Sequence, residues 1–213
     1  MTSTNESAEI APPSRRPRWP WVVAGAVLLF VMGLIAGGLF RPYVYNGAVI
    51  QSSASAPPMD GLVYSTGEEV DIEALQGDVV LIYFGYTFCP DLCPTMLATV
   101  DRAMESLGEK GSRITTMMVT VDPSRDTIDG VGDYVRIFND EFRGVWGEED
   151  SVRSVATQYG VTFEYDEPDE DGYYLVAHTA SLIAVDPEGA LRLLYPVGVT
   201  VEELAADLGE LLR

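Results

Sequence analysis

Val79-Val80-Leu81-Ile82-Tyr83-Phe84-Gly85-Tyr86-Thr87-Phe88-Cys89-Pro90-Asp91-Leu92-Cys93-Pro94 decides how this chain is read. Its first six residues are apolar without alternation and rich in β-branched and aromatic types, as in a short strand covered on both faces. Its last six hold both cysteines of a 213-residue chain. After Pro94, the residues Leu97, Val100, Met104 and Leu107 recur at helical spacing, with Gly108 placed to stop the helix. A buried strand thus runs through a thiol-bearing turn into a helix, and open α/β sheets place ligands at that edge of the sheet.

Working outward, similar apolar runs at 114–121, 180–185 and 191–196 predict three more strands. Helical patterns fall between and after them. One opens near Asp126 or Thr127 and carries Tyr134, Val135 and Phe138. A second carries Val152, Val155, Ala156 and Tyr159 and ends at Gly160. The last begins with the capping-box sequence Thr200-Val201-Glu202-Glu203. Upstream, residues 62–64 and 70–72 flank Thr66-Gly67 and predict an N-terminal β-hairpin. The order is hairpin, then β-α-β-α-(α)-β-β-α. It predicts an α/β, thioredoxin-like fold with a central mixed sheet flanked by helices. The acidic stretch 164–172 reads as an exposed loop.

The N-terminus has its own organisation. Residues 21–40 are all apolar or Gly, which matches the roughly 20 residues needed to cross a bilayer core. Arg15, Arg16 and Arg18 precede the run and Arg41 follows it. The bias of basic residues predicts a cytoplasmic tail over 1–20, one transmembrane helix over 21–40 and the remainder outside the membrane. The rival reading is a cleaved export signal, but the run is long for one, and the nearest small-x-small site, Ala54-Ser55-Ala56, lies well beyond it. Residues 41–58, rich in Ser, Ala and Pro from 46 onward, read as a tether, and 59–213 as one domain large enough for a real core. Either reading exports that domain to an oxidising compartment.

The chain carries a formal charge of −20 and a single lysine, Lys110. Nucleic-acid binding, which needs clustered Lys and Arg, is excluded. The acidity reads as a solvated surface.

Cys89 and Cys93 start the helix that follows the first long strand. Amides and partial positive charge at that terminus favour thiolate over thiol. A spacing of four places both sulfurs on one face of the first turn. Two close thiols suit disulfide exchange. Two thiols with an imidazole suit copper. Three residues between the cysteines, rather than two, leave room for a metal between the sulfurs. The plain alternative is a local disulfide, which would close a tiny loop and stabilise little. The only histidine, His178, precedes the strand at 180–185 and is the candidate third ligand, in a site small enough for Cu(I) and able to accept Cu(II). Zinc more often takes a fourth protein ligand. Met96 reads as core. Asp122-Pro123-Ser124-Arg125-Asp126 follows the second long strand. Asp122 and Arg125 are candidates to orient the site from behind the ligands. The same residues also read as ordinary turn chemistry, with Asp126 capping the next helix.

The stretch from Tyr83 to Pro94 resembles the signature of the SCO/SenC copper-binding proteins. So does Val119-Thr120-Val121-Asp122-Pro123-Ser124-Arg125-Asp126-Thr127, and His178 stands where that family has its distal histidine. The resemblance covers about residues 58–213. It implies a thioredoxin-like fold and copper bound through Cys89, Cys93 and His178. It also implies a part in building the copper-A centre of cytochrome c oxidase subunit II, by delivering copper or by reducing that subunit's cysteines. An upstream copper donor or thiol reductant would be a further partner. Family members often carry Asp immediately before the distal histidine, where this chain has Ala177.

Overall fold

The computed structural model describes residues 19–39, 43–50 and 54–213, and the chain divides into two units, 1–43 and 44–213. In the first unit a 21-residue helix, α1 (Trp19–Leu39), contains no charged residue. Its described side chains, at 19 and 21–34, are exposed. Counted over the described residues alone, no helix is long and apolar enough to cross a membrane. The anchor expected over 21–40 is therefore not established by the fold. The tail at 1–18, Phe40 and Arg41 lie outside the described residues.

In the second unit the elements run β1 (Ala48–Val49), β2 (Leu62–Tyr64), β3 (Val79–Gly85), α2 (Leu92–Ser106), β4 (Ile114–Thr120), α3 (Ile128–Arg136), β5 (Arg143–Gly147), α4 (Glu149–Gln158), β6 (Phe163–Tyr165), β7 (Val176–His178), β8 (Leu182–Val185), β9 (Leu191–Tyr195) and α5 (Val201–Leu211). Seven strands form one sheet in the order β1-β9-β8-β3-β4-β5-β2, and β6 and β7 form a separate two-stranded sheet. The parallel centre is β3-β4-β5, joined by the crossovers through α2 and α3. Antiparallel strands complete it on both sides: β8, β9 and β1 beyond β3, and β2 beyond β5. This is the mixed, thioredoxin-like sheet that the apolar runs predict.

Every residue of β3 is buried, as its unbroken apolar sequence requires. α2 buries Cys93, Met96, Leu97, Val100, Ala103 and Met104 and packs against α5. Helix ends follow local chemistry. Thr127 caps α3 by accepting from the Gly130 N–H at 3.1 Å. Thr200 and Glu203 close a reciprocal capping box on α5. Gly160, at φ +73°, ends α4 with the Val161 N–H bonded back to the Ala156 carbonyl at 2.8 Å.

The structure departs from these expectations in five places. The N-terminal hairpin forms but is short, its second arm reduced to the antiparallel bridge of Glu69 to Val63 and the Val70 N–H on the Leu62 carbonyl at 3.0 Å. The turn folds back, with the Tyr64 N–H on the Glu68 carbonyl at 2.8 Å. Yet β2 pairs with β5, and residues 70–72 form no strand. Val70 and Ile72 turn inward to the core, while the Asp71 carboxylate accepts from the Glu73 and Ala74 amides and starts a 3₁₀ turn.

The stretch expected as a tether is bound to the domain at residues 46–50 and 55–57. β1 pairs with Leu193 and Leu194, and Ser55 bridges Ala190. The buried Asp207 carboxylate accepts from the Asn46 amide (2.9 Å), the Asn46 side chain (2.9 Å) and the Gly47 amide (2.9 Å). Ser, Ala and Pro composition describes side chains, and backbone pairing to an open sheet edge needs none.

β5 was not expected. Nor was the β6–β7 hairpin, part of which falls in the presumed acidic loop. Asp126 does not cap α3; it faces the cysteine loop.

Candidate metal centre

Gly85, the last residue of β3, lets the site form. A Cβ there would stand 3.0 Å from the Cys93 sulfur and 2.9 Å from the Tyr83 ring. From it the chain turns through Tyr86, whose carbonyl accepts from the Cys89 amide at 3.2 Å, and enters α2 at Leu92. The N-cap residue, Asp91, makes no side-chain cap bond. The Cys89 sulfur fills that role, accepting the Cys93 N–H at 3.4 Å. Both cysteines are free thiols.

Their environments differ. The neighbouring Cys93 thiol, the His178 imidazole and the amides of Cys93 and Asp91 favour the Cys89 thiolate and outweigh partial burial, so its pKa is pulled well below the usual thiol range. Cys93 is fully buried, and donating towards Cys89 together with desolvation drives its pKa up. The Tyr83 hydroxyl donates to its sulfur at 3.7 Å. The pair is a nucleophile with a protonated neighbour.

His178 ends β7, opposite Phe163 on β6. It lines a cleft with Cys89, Tyr86 and Asp91. Its ring stands edge-on to Tyr83 (centroids 6.3 Å apart) and Tyr86 (5.9 Å). Its Nδ1 is buried without a hydrogen-bond partner. The structure therefore brings Cys93 to Cys89 and His178 to Cys89. Among the described residues, no three Cys, His, Asp or Glu side chains are already gathered as a metal cage. A sulfur pair beside an unsatisfied imidazole nitrogen is nonetheless a donor set that suits copper.

Asp122 and Arg125 belong to the clamp that holds this hairpin. The Arg125 Nε donates to Asp122 Oδ2 at 2.5 Å, and its Nη1 donates to the Tyr174 carbonyl at 2.8 Å. The guanidinium lies 3.5 Å from the Tyr174 ring centroid and 5.0 Å from that of Phe88, in the cysteine loop. Tyr174 in turn donates its hydroxyl to Asp122 Oδ1 at 2.9 Å. One buried ion pair thus ties the segment leading to His178 to the β4–α3 turn. The Tyr86 hydroxyl, accepting the Val176 amide at 3.3 Å, adds a second tie. Asp126 holds the cysteine loop itself, accepting from the Thr87 hydroxyl (2.5 Å) and the Thr120 hydroxyl (2.6 Å). Burial raises its pKa.

Tyr174 and Asp166, which lines the cleft, were not picked out from the sequence as site residues. Nothing in local spacing marks them, because they reach the site only through tertiary packing. Met96 is buried on α2, as a core residue.

The sequence model of the SCO1/SenC family matches residues 60–213. The chain belongs to the SCO1/SenC family. A relative of this SCO1/SenC protein is the mitochondrial SCO1 homolog 1 of Arabidopsis thaliana, 34% identical over 144 residues that make up 67% of this chain and 43% of that one. The matched part thus spans less than half the length of that relative. Apo Sco1 from Thermus thermophilus superposes with a TM-score of 0.70 at 32% identity, covering 80% of this chain and 98% of that structure. The copper-bound ScoI of Bradyrhizobium japonicum gives 0.65 at 31% identity, covering 78% and 99%.

Proposed function

We propose that this protein is a membrane-anchored copper chaperone that holds copper through Cys89, Cys93 and His178. It would deliver the ion to the copper-A site of cytochrome c oxidase subunit II. The observation that carries the reading is the meeting of an activated Cys89, a buried Cys93 and the unsatisfied imidazole of His178 at one edge of a SCO1/SenC fold. Support for the metal comes from the similar Bradyrhizobium ScoI, which binds copper. Support for the recipient comes from the Sco family, a family of cytochrome c oxidase assembly proteins. Copper here is cargo, taken from an upstream donor. Two thiolates and one imidazole suit Cu(I), and the same set accepts Cu(II).

The anchor is part of this proposal. The uncharged run at 21–40 and the three arginines before it support a single span with a cytoplasmic N-terminus and an extracytoplasmic domain. A membrane-impermeant thiol reagent should label Cys89 in intact cells, and labelling only after lysis would reverse that orientation.

The reduced full chain in detergent should take up one equivalent of Cu(I), and X-ray absorption should find two sulfurs and one nitrogen around it. Full stoichiometry in Cys89→Ala would sink the reading.

The contrast between Cys89 and Cys93 favours a second reading, a thiol–disulfide oxidoreductase. In that role Cys89 attacks a disulfide of an exported protein and forms a mixed disulfide. Cys93 then displaces the substrate thiol, leaving a Cys89–Cys93 disulfide and a substrate reduced by two electrons. Reductase activity that survives His178→Ala while copper binding is lost would select this reading.

A further inference from the structure

The cleft beside Cys89 has walls of two kinds. Leu92 from the start of α2 and Leu175 from the loop that leads into β7 give it apolar sides. Both are unusually exposed for leucine, at 41% and 39%. Phe88 and Tyr173, also exposed, flank Arg125 nearby. Two carboxylates, Asp91 and Asp166, complete the lining, and no lysine or arginine takes part. The Arg125 guanidinium, 5.8 Å from the centroid of the Tyr86 ring that lines the cleft, is paired with Asp122 and covered by the Tyr174 ring. Beyond Asp166 the loop continues with Glu167, Asp169, Glu170 and Asp171, all exposed.

We propose that this cleft is a docking site for a cysteine-bearing, extended segment of a partner protein. An apolar side chain next to the partner's cysteine packs between Leu92 and Leu175, and a lysine or arginine beside it meets Asp91 and Asp166. The occupant follows from the walls. Exposed leucines around a concave, sulfur-bearing cleft take an apolar side chain. Unneutralised carboxylates on a chain of charge −20 repel acidic segments and draw basic ones. The inference rests on the reading that Cys89 meets a partner's cysteine. It adds to that reading which cysteine segments the site prefers.

The test uses two short peptides, each with one cysteine capped as its thionitrobenzoate disulfide and preceded by leucine. One peptide carries lysines around the cysteine and the other glutamates. The Cys89 thiolate attacks the peptide sulfur, forming a Cys89–peptide disulfide and releasing coloured thionitrobenzoate, so no other oxidant is needed. The quantity read is the ratio of the two rates in the reduced full-length protein, which cancels any change in the nucleophilicity of Cys89 itself. At low salt the lysine peptide should react about tenfold faster, the lower end of electrostatic steering. In about 1 M salt, where the Debye length falls to about 3 Å, the ratio should approach one. The double variant Asp91→Asn/Asp166→Asn should lose most of the preference at low salt, and Asp166→Lys should invert it. A wild-type ratio near one at low salt, or a preference unchanged in both variants, overturns the proposal. Copper stoichiometry is read separately. One copper bound with no peptide preference removes the cleft alone, and a preference without copper removes the chaperone reading alone.

Discussion

Replacing Arg125 by methionine tests whether a buried ion pair holds the His178 hairpin. Asp122 is fully buried, and its side-chain partners are the Arg125 guanidinium on Oδ2 and the Tyr174 hydroxyl on Oδ1. Methionine keeps much of the apolar stem but leaves the carboxylate with one neutral donor. Stranding a buried charge in this way costs about 3–5 kcal/mol. Loss of the guanidinium from the Tyr174 face adds about 1 kcal/mol. With a total near 5 kcal/mol and a shift of about 2–4 °C per kcal/mol for a domain of this size, the melting temperature should fall by roughly 10–20 °C. The double variant Asp122→Asn/Arg125→Met removes the stranded charge and should recover most of that loss, measured by denaturant unfolding and scanning calorimetry. The exposed pair Arg136–Asp133 is the internal control, and Arg136→Met should cost under about 1 kcal/mol. If Arg125→Met costs as little as Arg136→Met, or if the double variant is no better than the single, the clamp is not what holds Asp122. Faster hydrogen exchange at Val176, whose amide bonds to Tyr86 next to the clamp, should accompany the loss.

Three further outcomes follow from single contacts. Gly85→Ala places a methyl 3.0 Å from the Cys93 sulfur between two fully buried side chains. It should cost about 1–3 kcal/mol in unfolding and weaken copper uptake, since the sulfur must shift to admit it. Carboxamidomethylation should fall on Cys89 first and keep a nearly flat rate from pH 6 to 8, because a lowered pKa leaves the thiolate already formed there. A rate climbing about tenfold per pH unit, as for an ordinary thiol, contradicts that. Asp207→Ala strips the acceptor from Asn46 and Gly47. It should cost about 2–3 kcal/mol and open residues 44–58 to limited proteolysis.

The parts of the fold that showed in the sequence are those whose cause is local. β3 is an unbroken apolar run, the ends of α4 and α5 carry their own glycine and capping box, and the cysteines sit at a helix start marked by two prolines. β5 did not show, and its own packing explains why. A Cβ on Gly144 would stand 2.7 Å from the Gly132 backbone, so strand and helix α3 meet with no side chain between them. The glycine that removes the strand's propensity signal is the one that lets α3 lie on it. The binding of residues 46–50 to β9 and Asp207 was hidden for a similar reason, because it uses backbone groups and a carboxylate more than 150 residues away.

His178 stands between these cases. Its residue type marked it as a candidate ligand, but its position depends on cross-strand pairing with Phe163 and on side-chain ties to Arg125 and Tyr86, none of which is local. The Cys93 sulfur rides on α2, and the Cys89 sulfur on the short loop that joins α2 to the fully buried β3. The imidazole rides on a two-stranded sheet outside the main one. Under the proposed function this division has a consequence. A chaperone must release its cargo, and release requires that one ligand move while the others stay ordered. Moving the Cys93 sulfur would disturb the core around Gly85 and Tyr83, and moving the Cys89 sulfur would break its bond from the Cys93 amide at the start of α2. Moving His178 shifts a two-stranded hairpin held by side-chain bonds and by burial of Phe163 and Val176, and leaves the pairing of the seven-stranded sheet intact. Under that function the imidazole would be the ligand placed to let go, and the Arg125 clamp would set how readily it does so.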